Sequence, residues 1–195
     1  PALLATAAVH HHLIKQMQRT QCGIVVESGE PREVHHFCLL FGFGAGAVNP
    51  YMVFENLEDM IQQETLPGST MRRATRNYIK AINKGMLKIM SKMGISTLHS
   101  YRGAQIFEAI GINHSVVDQY FVGTPSRIGG IGLDGIAREI ETRHKHAFPA
   151  RKIPKNLKLD IGGAYKWRRN GEDHLLSPVA VAKLQEAVRS DNLER

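Results

Sequence analysis

Histidines are the first residues that a search for chemistry meets. His10, His11 and His12 run consecutively, and His35 and His36 follow as a pair. Neighbours on a helix point about 100° apart, so consecutive imidazoles cannot converge on one ion, whereas a zinc-binding helix needs histidines at i and i+4. No such pair with a carboxylate between them occurs, and these side chains are read as packing or solvated histidines. The two cysteines, Cys22 and Cys38, form no disulfide framework, and an iron–sulfur cluster needs three or four thiolates. They are expected as two buried thiols, the first on a strand and the second in a helix.

Two stretches have the residue types of an anion site. Ser28, Gly29 and Arg32 lie where a strand is expected to turn into a helix, a place whose free backbone N–H groups can bind phosphate. Glu27, Glu30 and Glu33 crowd the same turn, and their charges would occupy the helix dipole and repel a phosphate. The turn is therefore expected to be a degenerate phosphate site. Arg102 and Gly103, after Ser100, open a second expected helix, where Arg102 could hold an anion or form a structural ion pair. A third stretch, Gly130-Ile131-Gly132-Leu133-Asp134-Gly135, matches the G-x-G-x-x-G dinucleotide pattern. The true fingerprint follows a hydrophobic strand and has an acid about 20 residues on, so a surface or interdomain loop is the expectation here.

Those residues depend on alternating elements. Helical spacing covers residues 3–17, a β-branched run covers 22–26, and a helix is expected over 31–41 with Pro31 in its first turn. Glycines at 42, 44 and 46 end that helix before a buried strand, Ala47-Val48-Asn49. Strand, helix and strand joined by short loops predict a parallel sheet. Helices are expected over 54–63 and 71–93, the second capped by Ser69 or Thr70, with an apolar stripe through Met71, Ala74, Tyr78, Ile82, Met86, Ile89 and Met93. A strand is expected over 95–98, helices over 103–110, 115–121 and 133–146, and a glycine-rich loop over 123–132. Beyond come a basic, proline-containing stretch over 148–158, a short strand over 165–167, a tight turn at Asn170-Gly171 and a helix from Ser177-Pro178.

The net charge of +7 is unevenly spread. Residues 143–169 hold nine lysines and arginines against one acid, whereas residues 1–63 hold three against six. Arg72, Arg76, Lys80, Lys84, Lys88 and Lys92 recur every fourth residue but spiral around the helix. With Tyr78 on the apolar stripe, the row is a solvated flank, and nucleic acid is not the expected partner. No apolar run reaches the roughly 18 residues a membrane span needs. The chain begins Pro1-Ala2-Leu3 without methionine or signal-like features, and both ends suggest a piece of a longer protein.

Whole phrases resemble glutamate synthase. They include Ala8-Val9-His10-His11-His12-Leu13-Ile14, Val25-Val26-Glu27-Ser28-Gly29 continuing to Arg32-Glu33-Val34-His35-His36-Phe37, and Gly42-Phe43-Gly44-Ala45 with Ala47-Val48-Asn49-Pro50-Tyr51. Residues 90–98, 100–109 and 123–132 continue the resemblance, and residues 165–174 resemble the family's aromatic, Arg-Arg, Gly-Glu, His phrase. Ser177 stands where the family pattern has asparagine, and either side chain can cap the helix.

The resemblance implies a segment of an α/β protein, alternating strand and helix around a parallel sheet, like part of a flavin-type (β/α) barrel. It implies residues 1–147 as the C-terminal part of the central domain, 148–164 as a basic interdomain linker, and 165–195 as the beginning of the FMN-binding synthase domain. The parent enzyme would form L-glutamate from L-glutamine and 2-oxoglutarate by ammonia channelling and reductive amination. It would use FMN, an iron–sulfur cluster, and electrons from ferredoxin or an NAD(P)H-oxidising subunit. The segment's partners would be the amidotransferase and FMN domains of the same chain, with no nucleic acid and no membrane, in the cytoplasm or a plastid. None of the family's catalytic or cofactor motifs falls within these residues, so a scaffold without a complete active site or a bound cofactor is expected. The weak candidates are Ser28, Gly29, Arg32, Arg102 and Gly103, and the alternative is a stand-alone flavin- or phosphate-binding α/β module.

Overall fold

The computed structural model describes residues 1–149 and 161–190. The chain divides into two compact units, Pro1–His144 and Lys145–Arg195.

The first unit opens with helix α1 (Ala2–Lys15), followed by strand β1 (Val25–Glu27), helix α2 (Val34–Gly42) and strand β2 (Ala47–Asn49). β1 and β2 lie parallel, with Val25 opposite Ala47, Val26 opposite Val48 and Glu27 opposite Asn49. Parallel neighbours need a crossover, and α2 supplies it. Helices α3 (Tyr51–Gln62), α4 (Met71–Lys92) and α5 (Leu98–Tyr101) come next. A second crossover follows: β3 (Ile110–Ile112), α6 (His114–Tyr120) and β4 (Ile128–Ile131), with β3 and β4 parallel, leading into α7 (Leu133–Ala147). The fold is α/β with parallel strands, as expected, but in two two-stranded sheets, and the described strands close no barrel.

Three apolar clusters hold this unit together. Phe37 and Cys38 of α2 meet Ile82, Met86 and Met90 of α4 and Tyr101 of α5. Val26, Leu40 and Ala45 pack α2 against β1, and Ala7 of α1 packs on Val117 and Phe121 beside α6. Each large side chain so buried contributes on the order of 1.5–3 kcal/mol. α4 packs on α2 through Gly85, where an added Cβ would lie 2.5 Å from Val34 Cγ2. The expected stripe of α4 is its buried face, except that Met93 is 47% exposed, and its lysines and arginines all face solvent. Thr70 is the cap, its hydroxyl accepting from the Arg73 N–H.

In the second unit, helix α8 (Pro178–Ser190) follows Ser177, whose hydroxyl accepts from the Ala180 N–H at 3.1 Å. The turn at Asn170-Gly171 forms, with Gly171 N–H donating to Arg168 O.

Several local expectations fail for identifiable reasons. α2 starts at Val34 because Glu33, not Pro31, caps it: the Glu33 carboxylate accepts from the His36 N–H, and His36 Nδ1 accepts from the Glu33 N–H. Residues 95–97 form no strand, since the Thr97 hydroxyl accepts from the Ser100 N–H and starts α5 there. Residues 103–109 form no helix, because residues 103 and 105 have φ of 67° and 53°, which a right-handed helix excludes. Four of the ten residues of the expected glycine loop form β4, a strand that exists through pairing with distant β3. Residues 165–167 pair with no described strand, and Tyr165 is fully exposed. Most of the basic stretch expected over 148–158 lies outside the described residues.

Candidate functional site

The Ser28-Gly29 turn lies at the C-terminal ends of β1 and β2, beside an open cavity of about 630 Å³ that Thr6, Val9, Val26 and Tyr51 also line. Its polar groups are engaged locally. Ser28 N–H donates to Asn49 O, and the Ser28 hydroxyl accepts from the Glu30 N–H. Glu27 accepts from the Asn49 side-chain amide at 3.0 Å, and Glu30 accepts from the Ala2 N–H at 2.8 Å. Burial alone would raise the Glu30 carboxyl, but the Ala2 N–H and the Arg143 charge help hold it below the usual carboxylate range. Glu33 and His36 take up amides at the start of α2, with Arg32 N–H donating to His36 Nδ1 at 3.1 Å. Arg32 lines a different cavity, of about 320 Å³, alongside Glu30, His36 and Arg143.

A flavin phosphate needs free N–H donors and an excess of positive charge. In this turn the Ser28, Glu30, Arg32 and Glu33 amides are already bonded and three glutamates supply negative charge, so it does not fit FMN. The glutamates do more than repel an anion: each accepts a hydrogen bond that joins the turn to a neighbouring element or caps α2.

Arg102 and Gly103 stand apart from that turn and line different cavities. Gly103 borders a small cavity of about 70 Å³ and donates its N–H to Gly42 O at 3.1 Å. Arg102 lines a cavity of about 540 Å³ with His10, Arg19, Cys22, Gly46 and His99, at the N-terminal ends of β1 and β2. Arg19 spans this wall: its Nε donates to His10 Nδ1 at 2.8 Å, one terminal nitrogen to Cys22 O at 2.9 Å and the other to Gly44 O at 2.8 Å. Gly44 is required there, since its φ is 117° and a Cβ would lie 2.5 Å from His10 Nδ1. Burial, then the charges of Arg19, His11 and Arg102, lower the His10 pKa to about 4. His10 is therefore neutral at pH 7 and accepts the Arg19 proton. Arg102 Nε is buried without a hydrogen-bond partner among the described residues.

The remaining candidates resolve into packing. His10 and His11 meet edge to face at 5.2 Å, His36 belongs to the α2 cap, and no group of three metal-ligating side chains occurs among the described residues. Cys38 is buried, but Cys22, expected to be buried on a strand, is exposed in the turn before β1. Burial raises the Cys38 thiol pKa, and burial beside that thiol pushes the Tyr101 hydroxyl well above the usual phenol range without a hydrogen bond of ordinary geometry. The G-x-G-x-x-G stretch does run from strand β4 into helix α7, contrary to the expectation that no strand precedes it. Packing explains two of its three glycines, Gly132 having open space where a Cβ would stand. A Cβ on Gly130 would lie 2.2 Å from Gly111 O of β3, and one on Gly135 would lie 2.9 Å from Ile131 Cβ. Glu108 and Arg127 form a two-bond pair at 2.8 and 2.9 Å just before β3 and β4. Sequence reasoning missed Arg19 and the role of His10, because no spacing rule links residues 10, 19 and 102.

No described helix is long and apolar enough to cross a membrane. A family model for the glutamate synthase central domain matches residues 1–113. The chain is 46% identical over 192 residues to the NADPH glutamate synthase large chain of Bacillus subtilis, covering 98% of this chain and 12% of that one. It is 45% identical over 192 residues to the NADH glutamate synthase of Schizosaccharomyces pombe, covering 98% and 9%. It is 41% identical over 203 residues to the ferredoxin-dependent glutamate synthase of Pyropia yezoensis, covering 100% and 13%. The chain thus spans about a tenth of the length of the curated relatives it matches.

Proposed function

Since the chain belongs to the glutamate synthase central-domain family, matching it over residues 1–113, we propose that it is a scaffold segment of a glutamate synthase with no complete active site of its own. The parent forms L-glutamate from L-glutamine and 2-oxoglutarate, passing ammonia internally and reducing the adduct with electrons from ferredoxin or an NAD(P)H-oxidising subunit. FMN and the iron–sulfur cluster belong to other parts of that parent, which works in the cytoplasm, or in a plastid where the source is photosynthetic. Residues 1–147 complete the central domain, 148–164 link it onward, and 165–195 begin the FMN-binding domain. The division of the chain after His144 supports that partition.

One observation carries the scaffold reading: the turn where a flavin barrel would bind phosphate has its serine and its glutamates bonded to one another and to neighbouring elements. The segment's contribution is then geometric, holding the amidotransferase and synthase sites at a fixed separation. Purified chain passed through a desalting column should show no flavin absorbance band. A band that survives would replace this reading with a stand-alone flavin module. Extending the coding sequence should reveal an amidotransferase upstream and a cysteine cluster downstream, and the absence of both would sink the assignment.

A further inference from the structure

The cavity at the N-terminal ends of β1 and β2 has an unusual charge inventory. Arg19, Arg102, His10 and His99 line it, and among the described residues no aspartate or glutamate does. Arg19 already spends three of its five N–H groups on His10, Cys22 O and Gly44 O, which fixes its guanidinium in place. Among the described residues Arg102 has no such commitment, and its buried Nε lacks any hydrogen-bond partner. Its Nη2 lies 3.7 Å from where a Cβ on Gly46 would stand, an ordinary van der Waals contact.

A buried guanidinium nitrogen with no acceptor is costly, and a second fixed guanidinium on the same wall raises that cost by repulsion. An anion between them offsets that repulsion. At about 540 Å³ the cavity has the size of a small-molecule site. The planar N–H forks match the paired oxygens of a carboxylate.

We propose that this cavity is a carboxylate-binding site in which Arg102 is the principal ligand and Arg19, held by His10, is the fixed second charge. The carboxylate comes either from a free small acid or from an aspartate or glutamate of the parent protein beyond these residues. The site is separate from the Ser28-Gly29 turn, which lies at the opposite ends of the same strands, and it does not depend on the scaffold reading.

The test is a structure of the full-length parent protein determined in the presence of succinate. Density for a carboxylate within hydrogen-bonding distance of Arg102 is expected. Density continuous with the polypeptide identifies a side chain of the parent, and isolated density identifies a free acid. Water alone, or a neutral side chain, beside Arg102 overturns the proposal. Solution measurements separate the arms further. For a free acid, equilibrium dialysis of the full-length protein should show succinate binding weakened about tenfold or more by Arg102→Gln and less by Arg102→Lys. For a side chain, amidating that acid should lower the thermal midpoint as much as Arg102→Gln does, with the double variant no worse. Unchanged succinate affinity in the first case, or additive midpoint losses in the second, rejects the site.

Discussion

His10 shows how far an individual side chain departs from its sequence context. One of three consecutive histidines, it is held neutral by burial and by the charges of Arg19, His11 and Arg102, with its pKa lowered from 6.5 to about 4. The folded state therefore refuses a proton that the unfolded chain accepts. Stability from this group is fully present above pH 6.5 and is lost as pH falls toward about 4. With partial exposure discounted, the loss is on the order of 1–2 kcal/mol. Protection of α1 amides from hydrogen exchange in the parent protein should weaken across that interval, and His10→Gln should flatten the profile. A profile identical in the variant would mean that another group titrates. At this scale the sequence was only partly informative: Glu27, Glu30 and Glu33 were recognisable as hostile to phosphate, but their bonds to Asn49, Ala2 and His36 were not. Each bond except the last spans more than 20 residues, beyond any local pattern.

Among the elements, the contact of α2 with α4 carries the largest apolar cluster, and Gly85 permits it. Gly85→Ala should return about 0.5–1 kcal/mol of helix propensity yet cost about 1–3 kcal/mol by pressing a methyl group into Val34. A net loss of about 1–2 kcal/mol is expected, read as faster hydrogen exchange across α2 and α4, and Val34→Ala in the same chain should recover part of it. Protection equal to that of the parent sequence would show that the helices can separate freely. Helices α1, α4 and α7 and strand β2 were legible because periodicity, caps and glycine breaks act within a few residues. β4 and the non-helical stretch 103–109 were not. A strand of Ile-Gly-Gly-Ile has no pattern of its own and is made by pairing with β3, and a positive φ at Gln105 has no sequence signature.

For the molecule as a whole, apolar surface left in water sets the next expectation. On α8, Val179, Leu184 and Val188 are 65%, 62% and 73% exposed, and Leu175 before it is 96% exposed. The isolated 195-residue chain should bind a hydrophobic dye strongly, and Leu184→Lys with Val188→Lys should reduce that signal. Dye fluorescence no greater than that of a well-packed globular protein would contradict the exposure. Family, α/β class and the first parallel crossover were determined by sequence alone, because whole phrases and short-range punctuation carry them. Only the tertiary structure decided that the phosphate-like turn is closed by its own glutamates and that Arg19 and Arg102 share a wall. The physical reason is common to both. Hydrogen bonds and charges act through space over a few ångströms, whatever the distance along the chain, and folding alone brings residues 10, 19, 46 and 102 within that reach.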